Sequence, residues 1–508
     1  MRIILPIKQV PETTGVRMDE RTGTMIREGV EAIVNPLDLY AIEAALRLRE
    51  ARGGEVIALS MGPPTAAKAL REALAMGADS AVLLSDKAFA GSDTWATSYT
   101  LAAAIRRLAP YDLVVCGERA TDGDTGQVGP GLHLDRMNRI LEIDRENMTV
   151  TCEPGVVTND INDRVKADGL FYAGYPMSVE TCFIGGNVAE NAGGGKAVKY
   201  GVTGRYVVGL EVVTPQGEIV NLGGKLAKDV TGYNLIQLMV GSEGTLGIFT
   251  KVILRLMPLP KAKVDLLVLF RTTEEAIAAV PRIMTAGGII PTAIEFMDQL
   301  SVRTSCEYLN ESIPYEQAGA MLLISVDGPS AEQVDREYEA IGDLCLGAGA
   351  IEVYVADNAT TAERIWKVRR NVAEAFFAVS PLQCLEDLVV PIAAIPRMVV
   401  GAQEISRKHD CPIPCYGHAG DGNIHATVIM NPAWTLQRWH ETLPDVLADL
   451  YRLAAGLGGT LSGEHGIGHK RKEFMPLFVS EAHLNLLRAI KRALDPNLIL
   501  NPGKIFDL

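Results

Sequence analysis

Short, unbroken apolar runs at residues 3–7, 56–60, 81–84 and 113–116 punctuate the first quarter of this chain. Between them lie amphipathic stretches at 39–50, 65–75 and 94–108. Runs that are continuous rather than alternating predict strands buried on both faces, and their alternation with helical stretches predicts a parallel sheet. Residues 1–131 are therefore expected to form an α/β segment, a doubly wound parallel sheet. A ligand in such a sheet sits beyond the carboxyl ends of the strands. That points to the glycine-rich loop after the last run, residues 117–130, with Asp122, Thr125 and Gln127, although such a loop alone is more often only a turn.

The pattern changes after residue 131. A strand-like run at 207–214 ends in the turn Pro215-Gln216-Gly217-Glu218, amid the glycine runs Ile184-Gly185-Gly186-Asn187 and Gly241-Ser242-Glu243-Gly244. Small residues permit close approach of backbone to a ligand, and a helix starting in the first run would offer its N-terminus to a phosphate. Residues 132–259 read as an α+β domain. From 260 to 508, strand-like runs at 264–270, 321–326 and 351–355 alternate with helices near 273–285 and 331–345, which predicts an antiparallel sheet backed by helices. Trp366-Lys367-Val368-Arg369-Arg370 is expected to open a helix there, and either guanidinium could pair a substrate carboxylate.

Composition narrows this modestly. With 48% hydrophobic and 22% charged residues, 508 residues are ample for about three ordinary globular domains. A net charge of −14 argues against nucleic acid as a partner. No apolar run approaches the roughly 20 residues that span a bilayer, and the N-terminal run is too short for a signal peptide, so a cytoplasmic location is expected. None of the eight cysteines forms a C-x-x-C pair, so no iron–sulfur cluster is indicated; Cys411 and Cys415 read as buried thiols.

The strongest chemical signal is Tyr416-Gly417-His418-Ala419-Gly420-Asp421-Gly422-Asn423-Ile424-His425, followed about forty residues later by Ser462-Gly463-Glu464-His465-Gly466. His418, His425 and Glu464 make a three-ligand set for one divalent ion, the open-sided pattern of a catalytic site, and His465 stands beside it as a base. Zn, Mn and Fe all tolerate two imidazoles and a carboxylate. Positions seven apart on one strand face opposite ways, so Gly420 and Gly422 are expected to make the bulge or positive-φ turn that brings the two histidines together.

Two resemblances follow from longer motifs. Ile7-Lys8-Gln9-Val10-Pro11, Thr22-Gly23, Arg27-Glu28-Gly29, Asn35-Pro36, Ser60-Met61-Gly62-Pro63-Pro64, Ala75-Met76-Gly77-Ala78-Asp79 and Asp122-Gly123-Asp124-Thr125 resemble the N-terminal half of electron transfer flavoprotein β subunits. That resemblance implies AMP, or a second FAD, near Pro6, Asn35, Met61 and the loop carrying Asp122, Thr125 and Gln127. From about residue 133 onward the chain resembles the FAD-linked oxidases of vanillyl-alcohol-oxidase type, and within them the D-lactate dehydrogenase and glycolate oxidase flavoprotein subunits. Ala173-Gly174-Tyr175-Pro176-Met177-Ser178, the two glycine runs, the 416–425 and 462–466 clusters and Asn501-Pro502-Gly503-Lys504 carry it.

The second resemblance implies FAD contacts at Pro176, Met177, Ser178, Gly185, Gly186, Asn187, Asn191, Tyr200, Gly201, Glu243, Gly244 and Ile248. It selects Arg369 over Arg370 for the substrate carboxylate, and assigns His418, His425 and Glu464 to the metal and His465 to the base. The implied activity is FAD-dependent oxidation of a small D-2-hydroxyacid, D-lactate or glycolate, with electrons leaving to an electron transfer flavoprotein. The family's Arg-Gly-x-Gly-Thr pyrophosphate loop does not occur in this sequence, so residues 132–259 correspond to the second half of the FAD domain only. Two other readings stay open on that ground: a non-catalytic AMP- or FAD-binding electron-transfer module, and a non-functional fusion of two neighbouring genes.

Overall fold

The computed structural model describes residues 1–11, 17–18, 25–26, 32–89, 92, 94–117, 137–356, 358–380 and 382–508. It divides into two compact units, Met1–Asn138 and Arg139–Leu508.

In the first unit, strands Arg2–Pro6, Glu55–Met61, Ser80–Leu84 and Leu113–Val114 form a parallel sheet. Arg2–Pro6 lies between Glu55–Met61 and Leu113–Val114. Successive side chains of a strand face opposite ways, and here both faces are apolar. Ile3, Leu5, Val56 and Ala58 pack with helices Pro36–Arg52 and Ala67–Met76, while Ile4, Ile57 and Leu59 meet Leu101 and Ile105 of helix Thr94–Arg107 on the other face. Pro6 and Met61 end adjacent parallel strands at the same edge. Asn35 lies buried at the start of helix Pro36–Arg52, its N–H donating to the Lys8 carbonyl. Asp122, Thr125 and Gln127 lie outside the described residues.

The second unit holds two larger sheets, both antiparallel throughout. The first orders its strands Ile219–Gly223, Val207–Val213, Ile248–Arg255, Thr149–Cys152 and Ile140–Asp144. The second has seven strands in the order Glu352–Ala356, Ala262–Phe270, Ala320–Gly328, Ala293–Asp298, Cys415–His418, Asn423–Ile429 and Gln383–Val389. Every residue of Ala320–Gly328 is buried. Leu322, Ile324 and Val326 join the core that includes helices Thr273–Thr285, Ala331–Gly347, Ile395–His409 and Leu436–Gly456; Met321 and Leu323 face the core that includes Val302, Val368 and Phe376. The antiparallel arrangement backed by helices that the sequence predicts is present, with helices on both faces.

One local expectation is corrected. Trp366 to Arg370 close a helix rather than open one: it runs Ala359–Arg370, started by Asn358, whose side chain accepts from Thr361 N–H at 2.9 Å. The Asn N-cap eight residues upstream of Trp366 sets the start of this helix.

Candidate active site

Three acidic residues of the seven-stranded sheet, Glu295, Glu386 and Asp387, are fully buried, and Glu295 and Asp387 share one face. Residues directly opposite one another on neighbouring strands share a face. Glu295 lies opposite His418, and His418 opposite Asn423; one step along, Met297 lies opposite Tyr416, Tyr416 opposite His425, and His425 opposite Asp387. Glu295, His418 and Asn423 thus make one row and Tyr416, His425 and Asp387 the adjacent row, on one face.

The two histidines reach this face from different strands, Cys415–His418 and Asn423–Ile429, joined by a tight turn. Gly422 supplies the positive φ (91°), and a side chain there would run into the Val390 carbonyl. Gly420 has a different role, leaving room for Val198. A two-strand hairpin, not a bulge in one strand, solves the spacing.

His418, His425 and Glu464 each offer a ligand atom, all within 4.8 Å of one another. His418 Nε2 is 2.7 Å from Glu464 Oε1, while its Nδ1 is 2.7 Å from Glu295 Oε1. Burial opposes charge on His418, but Glu295 and Glu464 on either side outweigh it and hold its pKa well above the usual value. Burial, reinforced by His418, pushes His425 well below it, so His425 is a neutral imidazole. Among the described residues its Nδ1 is buried without a hydrogen-bond partner. Two nitrogens and a carboxylate converging here, one nitrogen unsatisfied, fit a divalent cation, and Glu295 on the far nitrogen of His418 is the outer carboxylate that orients a ligating imidazole.

Arg369 joins the same group from the last turn of its helix. It is buried, with Nη2 2.7 Å from Glu295 Oε2 and its guanidinium 5.3 Å above the Tyr416 ring, while its Nε finds no acceptor among the described residues. Burial works against ionisation of Glu295, but the His418 and Arg369 charges prevail and keep it a carboxylate. His465 stacks on His425 at 5.6 Å and 15°, and its side chain is 39% exposed, far more than the other three histidine-site side chains. Arg370 points elsewhere and pairs with Glu363.

The residues expected to contact FAD divide by what their side chains do. Asn187 donates to Thr158 Oγ1, Asn191 accepts from Gly204 N–H, and Tyr200 donates to Asp327, so these three side chains are spent on the fold. Glu243, at φ 50°, accepts from Ile467 and Gly468 N–H, both at 2.7 Å, and thus holds the segment just past His465. Gly185 is pressed on Pro154; Gly201 and Gly244 have positive φ; Ser178 accepts two turn hydrogen bonds through its carbonyl; Ile248 begins a strand half-exposed. Among the described residues, nothing fills the space where a Gly186 side chain would stand, and Ser242 Oγ and Glu190 Oε2 are buried without partners. Room and spare hydrogen-bonding capacity along this stretch fit a bound dinucleotide.

A cavity of about 710 Å³ is lined by Tyr175, Pro176, Met177, Gly195, Trp366 and Arg370 among others. The metal-type cluster does not line it. The two approach each other at Gly195, where a Cβ would stand 2.1 Å from Glu295 Oε1. Glu295 and Asp387 were not anticipated from sequence, yet an acid inside an apolar run such as Ala293-Ile294-Glu295-Phe296 or Leu385-Glu386-Asp387-Leu388 is itself a signal, because a buried charge demands partners.

Residues 259–505 match the family described as FAD linked oxidases, C-terminal domain; residues 98–223 match the FAD binding domain family, and 22–133 the electron transfer flavoprotein domain. The chain is 42% identical over 375 residues to the glycolate oxidase subunit GlcD of Bacillus subtilis, covering 74% of this chain and 79% of that protein. It is 37% identical to a D-lactate dehydrogenase of Anaerostipes hadrus, with 75% and 82% covered. Among solved structures, 4-ethylphenol oxidase from Gulosibacter chungangensis shares the fold at a TM-score of 0.57 and 21% identity, over 73% of this chain and 79% of that one. The resemblance read from the motifs holds for both parts of the sequence, and residues from 139 onward carry the two antiparallel sheets of a flavin oxidoreductase: the chain belongs to the FAD-linked oxidase family.

Proposed function

We propose that the chain oxidises a small D-2-hydroxyacid, D-lactate or glycolate, to the 2-oxoacid and passes the electrons to an electron transfer flavoprotein. The observation that carries this reading is the convergence of His418, His425, Glu464, Arg369 and His465 about two buried carboxylates, Glu295 and Asp387. FAD held along Pro176–Ser178, Gly185–Asn191, Tyr200-Gly201 and Glu243–Ile248 would supply the two-electron acceptor. A divalent ion on His418, His425 and Glu464 would lower the pKa of the substrate hydroxyl.

The remaining roles belong to side chains. The unpartnered Nε of Arg369 gives a planar cation a spare donor for the substrate carboxylate. Glu295 keeps Arg369 and His418 in register by bonding both. His465, the exposed imidazole of the set, takes the hydroxyl proton as the Cα–H bond breaks. Tyr416 beneath Arg369 and Tyr416's neighbours exclude water from the charged group.

We divide the chain into an electron transfer flavoprotein β-like segment (1–131) with a doubly wound nucleotide fold, the second half of an FAD domain (132–259), and the substrate and metal domain (260–508). The first segment would take AMP or a second FAD near Asn35. Among the described residues no helix is long and apolar enough to cross a membrane.

The test is the visible spectrum of purified protein, loaded with FAD, desalted and mixed anaerobically with D-lactate or glycolate. Bleaching of retained flavin is expected, and its loss in His465→Ala with the divalent ion still bound. Full bleaching in that variant would remove His465 from the mechanism. Retained flavin that neither acid bleaches would overturn the substrate assignment in favour of the electron-transfer module.

A further inference from the structure

Glu464 and His465 sit on a loop, Leu461–Gly466, that has no regular hydrogen-bond ladder of its own. A backbone without a ladder needs another partner for its N–H groups. That partner is one atom. Asp387 Oδ2 accepts from Ser462 Oγ (2.7 Å), Gly463 N–H (3.0 Å), Glu464 N–H (2.8 Å) and His465 N–H (2.9 Å). Three consecutive N–H groups curled around one anion form a backbone nest, here closed around a carboxylate of the protein itself.

The other oxygen looks toward the hairpin. Asp387 Oδ1 accepts from Asn423 Nδ2 at 2.6 Å, and His425 Nδ1 stands 3.9 Å from it. Asn423 shares its row with His418. The carboxylate is fully buried and takes five donors across its two oxygens. One buried side chain therefore ties the loop carrying Glu464 and His465 to the hairpin carrying His418 and His425.

We propose that Asp387 is the positioning residue that assembles this site: its carboxylate folds the 462–465 loop and delivers the third metal ligand and the base as one unit. It touches neither substrate nor ion; it acts through the backbone of Glu464 and His465. The inference rests on the roles just proposed for those two residues.

The substitution that tests it is Asp387→Asn, which keeps the shape but removes the charge and turns half the acceptor into a donor facing Asn423 or the nest. Two readouts are needed, Mn²⁺ affinity by calorimetry on the flavin-loaded protein and the kinetics of D-lactate oxidation. Mn²⁺ binding should weaken tenfold or more, in the range typical of an outer-shell carboxylate. The kcat should fall a hundredfold or more with KM changed less than threefold, and flavin content and melting temperature should stay near wild type. A residue with only a structural role would instead lower the melting temperature and leave the ion affinity of the folded fraction intact.

Wild-type Mn²⁺ affinity and kcat in Asp387→Asn would overturn the proposal. If that variant does not fold, Ser462→Ala carries the test by removing one of the four donors: a three- to tenfold lower kcat at unchanged KM supports it, and an unchanged kcat overturns it. His465→Ala is run in parallel. Should it retain full activity, the catalytic reading fails, while the Mn²⁺ titration of Asp387→Asn still judges the positioning role.

Discussion

Glu295 concentrates the cost of building this site into one side chain. It lies between Arg369 and His418, bonded to both and shielded from water. Removing its charge leaves Arg369 buried without a counter-ion, a change that costs about 3 kcal/mol or more. Glu295→Gln should therefore lower unfolding free energy by about that amount in urea titration, whereas Arg370→Gln, on an exposed pair, should cost less than about 1 kcal/mol. Glu190 makes a different prediction. Burial, with Glu243 beside it, lifts its pKa from 4.5 to about 8. Between those two values the unfolded chain has lost a proton that the folded protein keeps, so stability falls as pH rises across the window. Glu190→Gln should abolish that slope, on the order of 4 kcal/mol, and thermal melts at pH 5 and pH 8.5 would measure it.

At the scale of elements, the hairpin Cys415–His418 and Asn423–Ile429 decides whether two histidines seven positions apart can meet. The turn depends on Gly422, whose φ of 91° suits no other residue and whose missing Cβ avoids a 2.1 Å contact with the Val390 carbonyl. Gly422→Ala should cost about 2 kcal/mol or more and weaken divalent-ion binding at least tenfold, because any relaxation of the turn moves His425 against His418. Unchanged ion affinity in that variant would show that the turn is not what sets the spacing. The elements themselves were largely legible in sequence. Predicted strands at 3–7, 56–60, 81–84 and 207–214 match Arg2–Pro6, Glu55–Met61, Ser80–Leu84 and Val207–Val213 within about a residue or two, and the helix expected near 273–285 is Thr273–Thr285. Residues 366–370 end a helix rather than open one, because the capping side chain that fixes its start lies upstream at Asn358.

At the scale of the whole molecule, a divalent ion that binds only the folded state adds stability in proportion to its occupancy, about 2.7 kcal/mol at a hundredfold excess over Kd. Prolonged chelation should lower the melting temperature of the native protein, and the shift should vanish in His418→Ala. A shift that persists in that variant would place the ion elsewhere. The flavin-to-chain ratio after desalting bears on the two-part character of the chain: one flavin with bound AMP, or two flavins, is the outcome expected if both nucleotide regions are competent.

By itself the sequence determined which residues could do chemistry and which segments could be strands or helices. Both are local properties: ligand type is written in His418, His425 and Glu464, and burial on two faces is written in continuous apolar runs. Tertiary structure alone decided that Glu295 and Asp387, 92 positions apart in the chain, stand on adjacent rows of one sheet face. It also decided that the first holds Arg369 to His418 and that the second gathers three backbone N–H groups of the loop with Glu464 and His465. Strand order and register set those meetings, and they follow from how all seven strands bury their faces together rather than from any one segment.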